Sequence, residues 1–319
     1  MSATVTTQLV EAPSETVARG SGMLRTALRS RRLIVGLCIV GFFVLLGIVG
    51  PFLVGNPNLV SLDRAAAPSA AHWFGTTDIG QDIFAQTVVG TRITLEIGAA
   101  AGLVATAISV IIGIGGGYVG GWVDEILALL SNVALVIPTL PLVIVVAAFV
   151  KDTGLLPTIF VIALTSWAAS ARVLRGQTLS LRNRDYVLAS KALGEPVWRI
   201  VLVEILPNEL PIIVSQFLFS MIFAILAQAG LAFIGSQSPD LLSWGNILYF
   251  AQNAEALSSG DWWWFAPPGL CIALLGAGLA LINFGLDELL NPRLRVYREP
   301  RGRRQAKALS PVVETEIEQ

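Results

Sequence analysis

Six stretches of this sequence run for about the width of a bilayer without one charged side chain. They are residues 33–54, 97–119, 127–150, 155–171, 211–234 and 262–286. Each approaches or exceeds the roughly 20 residues that a helix needs to cross a hydrocarbon core. Lipid offers no partner to an open backbone, so apolar runs of this length are expected to be helices. The chain is 54% hydrophobic and 13% charged over 319 residues, too little charge to clothe a water-soluble surface. The expected fold class is an all-α membrane protein with six transmembrane helices.

The basic residues give an orientation. Arg19, Arg25, Arg29, Arg31 and Arg32 precede the first run, and Arg172, Arg175, Arg182, Arg184, Lys191 and Arg199 lie between the fourth and fifth. Seven more, from Arg293 to Lys307, follow the sixth, which leaves Arg64, Arg92 and Lys151 on the other side. An even number of spans with this bias places both termini in the cytoplasm. The expected division is a cytoplasmic tail (1–32), a transmembrane domain (33–290) and a second cytoplasmic tail (291–319). Both tails are polar and unpatterned. The first run is expected to be a retained span, because its core is long for a signal peptide. Cys38 and Cys271 each lie within an apolar run, toward opposite ends of the membrane, so no disulfide is expected.

Several chemistries find no residues here. The apolar interiors hold no Asp, Glu, Lys or Arg, and Glu96 and Asp124 fall at their ends, where solvation is expected. A carboxylate relay for proton coupling is therefore missing, whereas a sodium site built from carbonyls and hydroxyls stays open. None of the three lysines completes a phosphate-cradling G-x-x-x-x-G-K-[ST] loop. If ATP drives this protein, the motor is another polypeptide. A membrane hydrolase lacks its nucleophile and base. The single histidine, His72, lies in the first outer loop, where a structural role is the ordinary one and a metal-ligand role the alternative.

Between the fourth and fifth runs stands a polar unit, "RNRDYVLASKALGEPVWRIVLVEILP", residues 182–207. Asn183 suits a helix cap and Asp185 a first turn. Tyr186, Ala189 and Leu193 recur at helical spacing and form one apolar edge. Gly194 is placed to end the helix in a left-handed turn. Pro196 suits the first turn of a second short helix along the membrane face, and Pro207 opens the fifth span. Two roles are open to this helix–Gly–helix unit: an interfacial helix between spans, or a knob that docks in a partner's groove.

The unit resembles the EAA loop of permease subunits of binding-protein-dependent ABC importers. That loop reads E-A-A, any three residues, Gly, nine residues, then I-x-L-P. Ala189, Gly194, Leu206 and Pro207 match; Leu188, Ser190 and Glu204 replace the Glu, the second Ala and the Ile. "HWFGTTDIGQDIFAQTVVGTRITLEIG" (72–98) is similar to the H-P-[FL]-G-T-D-x-x-G-R-D segment of dipeptide/oligopeptide permeases of the C type. His72, Phe74, Gly75, Thr76, Gly80 and Asp82 match, while Trp73, Thr77 and Gln81 depart. "YVGGWVDEIL", "SWG", "APPGL" and "NPRLR" also resemble that family, whose short first outer loop this chain shares.

The resemblance implies a subunit of an ATP-driven importer, with di- or oligopeptides as cargo and nickel chelates or another small solute as the alternative. A stand-alone secondary carrier is the competing reading. The implied partners are a B-type permease, two ABC ATPase subunits using ATP and Mg, and an extracytoplasmic substrate-binding protein at a bacterial inner membrane. The chain itself is expected to bind no cofactor or metal and to catalyse nothing. Coupling to the ATPases would fall to Asp185, Tyr186, Leu188, Ala189, Ser190, Lys191, Leu193, Gly194 and Pro207. His72, Gly75, Asp82 and Trp244 are candidates for docking the binding protein. Gln216, Ser220, Gln228 and Asn283 either line the pathway or bond neighbouring helices. Residues 80–92 are expected to form an interfacial helix and Trp262, Trp263 and Trp264 an aromatic anchor. The glycines of "IIGIGGGYVGG" are expected to let helices approach closely.

Overall fold

The six apolar runs become helices, but their boundaries and continuity differ from the hydropathy pattern. The computed structural model describes residues 30–150 and 154–290; residues 1–29 and 291–319, which hold most of the expected tails, and Lys151 lie outside this description. Helix α1 (Arg31–Leu53) starts at Ser30, whose hydroxyl accepts from the Leu33 amide. Helix α2 (Ile83–Val110) passes through a widened π turn (Ile111–Gly115) into Gly116–Val119, giving 37 continuous helical residues. The expected interfacial helix is thus the first part of the second span. Asp82 caps it, Thr87 and Thr91 fold their hydroxyls back onto the preceding turn, and Ile83 and Val88 are buried in protein instead of facing lipid headgroups.

The third run is not one straight span. Helices α3 (Gly121–Val136) and α4 (Thr139–Phe149) meet at 94°. Pro138 stands at the break, where its ring and missing N–H prevent the first helix from continuing. Helix α5 (Leu155–Leu181) extends ten residues past the end of its apolar run at Ala171, carrying Arg172 and Arg175 inside the helix. After α6 (Asp185–Ala192), residues Val197–Arg199 enter a π turn (Ile200–Ile205) that leads directly into α7 (Leu206–Phe233). The end opposite α6 adds α8 (Trp244–Asn253), and α9 (Trp262–Leu290) closes the bundle.

Five helices are long and apolar enough to cross a membrane, or six if the bent pair counts as one span. The described residues contain no sheet, only isolated bridges at Val60–Gln81 and Thr76–Asp82. This is an all-α, multi-pass membrane fold. Large apolar side chains such as Phe42, Ile48, Phe52 and Leu164 remain exposed on the bundle, as lipid contact requires. Three apolar clusters fill the interior. Phe43, Trp244, Leu275 and Leu279 pack among α1, α7, α8 and α9; Ile97, Val143, Ile162 and Ala224 pack among α2, α4, α5 and α7. Ile114, Tyr118, Leu174, Val187, Ile200 and Ile205 pack at the end that carries α6.

Small residues set the α1–α9 spacing. A Cβ at Gly36 would stand 2.7 Å from the Gly278 carbonyl oxygen and 2.8 Å from the Ile282 nitrogen. Gly113 is similarly tight: its Cβ would lie 2.5 Å from the Ala171 carbonyl oxygen on α5. Gly36→Val must therefore separate two backbones. We expect it to destabilise the protein by about 1–3 kcal/mol in a thermal unfolding assay in detergent, whereas Gly41→Val, with open space around it, changes little.

Candidate functional site: the coupling segment, the central cavity and the outer loops

Helix α6 projects from the bundle between α5 and α7. Its N-cap is Arg184, and Asn183 makes no cap, so the start lies one residue later than the sequence suggests. Asp185 occupies the first turn and Lys191 the last, each favourable to the helix dipole. Gly194 has φ +78°, and the Gly194 and Glu195 amides donate to the Lys191 and Ser190 carbonyls at 3.0 and 3.2 Å. This paired closure needs a left-handed residue, which glycine supplies without a Cβ clash.

One side chain of α6 anchors it: Val187, fully buried among Ile114, Tyr118, Leu174, Ile200 and Ile205. The apolar edge points elsewhere. Tyr186, Leu188 and Ala189 are exposed, and Leu193 is 83% exposed. Ser190 donates to the Tyr186 carbonyl at 3.1 Å, and the Lys191 ammonium lies 4.9 Å from the Tyr118 ring centre. Arg199 and Glu195 form an ion pair beside the turn. The expected second short helix does not lie separately on the membrane face. It is the first part of the α7 rod, and Pro207 falls at its N-terminal end after the widened turn, where its missing N–H interrupts least.

Beneath α6 the structure reveals charge that the apolar runs concealed. Arg175, Thr178 and Arg182 share one face of α5. Arg175 donates from Nε and Nη2 to the two oxygens of Asp124 at 2.5 and 2.9 Å. Asp124 is 8% exposed, which corrects the expectation of a solvated carboxylate. Thr178 contacts Glu209 Oε1 at 2.7 Å, and Arg182 donates to the Gly117 carbonyl at 3.0 Å. Glu209 is fully buried, and its Oε2 has no partner. It escaped notice because it sits just before the fifth run. The i, i+3, i+7 spacing of Arg175, Thr178 and Arg182 was the available signal.

Between α5, α7 and the α3–α4 break lies a half-open groove of about 430 Å³, with Leu135, Ala169, Val173 and Phe219 exposed along it. Thr165, Ser166 and Ser170 face Gln216 and Ser220 across it, with Phe219 beside them. Ser170 and Ser220 are 3.4 Å apart. Thr165 and Ser166 donate to carbonyls one turn back, leaving acceptor lone pairs. The lining holds no charge. Gln228 and Asn283 lie away from it. Gln228 is fully buried and donates to Gln237 Oε1 and Ser243 Oγ at 2.7 and 2.8 Å, while Asn283 is 1% exposed on α9.

At the end opposite α6, residues 54–82 form a loop held by its own motif. His72 Nδ1 pairs with Asp82 Oδ2 at 2.7 Å, and Asp82 Oδ1 accepts from the Ala85 amide at 2.8 Å, capping α2. Gly75, at φ +71°, accepts from the Ile83 amide at 3.2 Å. Trp244 is fully buried, donates to the Thr87 carbonyl at 2.9 Å and packs edge-on against Phe43. Its indole offers no surface to a partner, which removes Trp244 from a docking face. Trp264 is likewise buried, so only the exposed Trp262 and part-buried Trp263 remain of the expected anchor. Cys38 and Cys271 are free thiols, and no cluster of three or more His, Cys, Asp or Glu able to hold a metal occurs among the described residues.

The family described as binding-protein-dependent transport system inner membrane component matches residues 107–296, which include α6 and the groove between α5 and α7. The oligopeptide transport system permease protein OppC of Bacillus subtilis is 36% identical over 274 residues, spanning 84% of this chain and 88% of that protein. The dipeptide transport system permease protein DppC of the same organism is 35% identical over 273 residues, spanning 84% and 83%. The probable D,D-dipeptide transport system permease protein DdpC of Escherichia coli is 33% identical over 259 residues, spanning 80% and 85%. An all-α membrane bundle with this projecting helix and these relatives belongs to the binding-protein-dependent ABC permease family, as a non-catalytic transport subunit of the C type.

Proposed function

We propose that this chain is one of two permease subunits of an ATP-driven importer of di- or oligopeptides in a bacterial inner membrane, with both termini cytoplasmic. The observation that carries the reading is α6: a short helix whose one buried side chain is Val187, with Tyr186, Leu188 and Leu193 turned outward. An unpartnered apolar edge on a stiff, glycine-terminated projection suits insertion into a groove. The occupant we assign is a surface of an ABC ATPase that uses ATP and Mg. Asp185, Ala189, Ser190, Lys191, Gly194 and Pro207 shape or flank that projection. Closure of the ATPase pair would push α6, and α5 and α7, joined beneath it through Thr178 and Glu209, would move with it.

The 430 Å³ groove lies between those same helices. Its hydroxyls and the Gln216 amide offer dispersed donors and acceptors without a fixed charge, which suits peptide backbones of varied side chain. Gln216 and Ser220 are our pathway residues; Gln228 ties α7 to the segment before α8, and Asn283 lies on α9 away from the groove. The peptide cargo is also the one named for the relatives. The test is reconstitution in proteoliposomes with a B-type permease, the ATPases and a binding protein. Uptake of radiolabelled trialanine should require ATP and all the partners. Accumulation by this chain alone on an ion gradient would overturn the reading.

A further inference from the structure

Arg92 and Glu96 form an ion pair at 2.8 Å one turn apart on α2, with side chains 57% and 41% exposed. Such an exposed pair adds little to the fold. Its position is what distinguishes it. Residues 97–119 of the same rod carry no charge and span about 34 Å, enough to cross the hydrocarbon core. The pair therefore stands where that core ends, at the depth of lipid headgroups, on the side of the bundle opposite α6. Helix α1 ends near the same depth: Gly50 faces Val88, and Gly47 faces Leu95 and Arg92.

From the pair toward the core runs a half-open groove of about 490 Å³. Val44, Ile48 and Phe52 of α1 form one wall and Leu95 and Ala99 of α2 the other, with the buried Met221 of α7 behind them. Ile48 and Phe52 belong to the exposed apolar face that lipid covers. Arg92 and Glu96 line the groove and are its only charged members. Arg92 Nε donates to Glu96 Oε1, and among the described residues neither side chain has another polar partner. Two guanidinium nitrogens and one carboxylate oxygen are left over.

One molecule fits both parts of this groove: an acyl chain along the apolar walls and a headgroup carrying both signs of charge. A phosphodiester accepts from the free guanidinium nitrogens, and a primary ammonium donates to the free Glu96 oxygen. An anionic headgroup without an amine sets its charge beside Glu96 with no return. A trimethylated ammonium has no N–H to give the carboxylate. A protein surface would bury both charges at a desolvation cost, whereas a lipid keeps them in the hydrated headgroup layer. We infer that the α1–α2 groove is a binding site for phosphatidylethanolamine, with the lipid phosphate on Arg92 and its ammonium on Glu96. The inference rests on the membrane fold and is independent of the importer reading.

The test uses the full chain, with the subunits that co-purify with it, carrying Phe52→p-benzoylphenylalanine. Phe52 is aromatic and 82% exposed, so the photoreactive ring replaces it without repacking the bundle. The protein is reconstituted in vesicles of equal phosphatidylethanolamine, phosphatidylglycerol and phosphatidylcholine with matched acyl chains. After irradiation, mass spectrometry of the labelled segment identifies the captured neighbour. We expect phosphatidylethanolamine adducts roughly tenfold over each of the other two lipids. Glu96→Gln keeps the side-chain shape but removes the partner of the ammonium, and the preference should vanish. Arg92→Gln should lower the yield of phosphatidylethanolamine adducts. Both positions are solvent-accessible, so neither change threatens folding. Adducts in proportion to the bulk lipid would reduce the groove to general lipid contact and overturn the inference. So would a preference unaltered by Glu96→Gln, or a crosslink from position 52 to another subunit, which would assign the groove to a protein interface.

Discussion

Gly194→Pro is expected to cut peptide uptake by roughly tenfold or more while the partner ATPases continue to hydrolyse ATP. Gly194 sits at φ +78°, and proline is locked near −65°. Proline also lacks the N–H that meets the Lys191 carbonyl at 3.0 Å, and the Glu195–Ser190 bond depends on the same turn. The cause is conformational rather than steric, because nothing lies within 4 Å of a Cβ built at this position. A graded series follows. Gly194→Ala keeps the N–H and meets only the left-handed penalty, about 1–2 kcal/mol, so coupling should fall partially. Val187, Asp185 and the spans are untouched, so insertion and assembly should persist. ATPase assays beside uptake assays check the separation. Full coupled uptake in Gly194→Pro would show that α6 is not the element through which force reaches the spans.

What was legible follows from what a sequence encodes locally. The apolar runs announce helices because lipid leaves them no alternative, and Gly194 announces a turn because few residues accept its φ. The errors share one origin, the equation of charge with exposure. Arg92 and Glu96 seemed to part an interfacial helix from the second span, yet they are an i, i+4 pair at 2.8 Å on one continuous helix. Arg172 and Arg175 seemed to end the fourth span, yet α5 carries them past it to Leu181. Pro138 was visible in the third run, but a proline can open, kink or break a helix, and only its neighbours' packing selects the 94° break. The site divides in the same way. The projecting helix–Gly unit was readable because it is contiguous, whereas the groove joins α5 to α7 across fifty residues and depends on which faces meet. Trp244 marks the limit of motif reading: a signature residue can serve packing, and burial decides which.

The Asp124–Arg175 pair ties α3 to α5 at the end of the bundle that carries α6, and its removal on one side only should be severe. Two bonds at 2.5 and 2.9 Å satisfy both oxygens of a carboxylate whose side chain is 12% exposed. Arg175→Met leaves that carboxylate without its cation, and we expect a loss of about 3–5 kcal/mol, read as a lowered unfolding midpoint in detergent. Asp124→Leu strands the guanidinium, but Arg175 is 32% exposed on its side chain and part of its charge reaches solvent, so its loss should be smaller. The double variant Asp124→Leu, Arg175→Met removes both charges and should recover most of the stability, since the pair offsets its own desolvation and adds little beyond that. Recovery of transport is a separate matter. Arg175, Thr178 and Arg182 lie on one face of α5, and each fixes a different element: α3, α7 and the turn after α2. If α5 must carry motion from α6 to the groove, an apolar contact at position 175 can restore the fold yet leave the helix free to slide. Stability regained with uptake still depressed would place the ion pair in the transmission path; both regained together would confine it to holding the bundle.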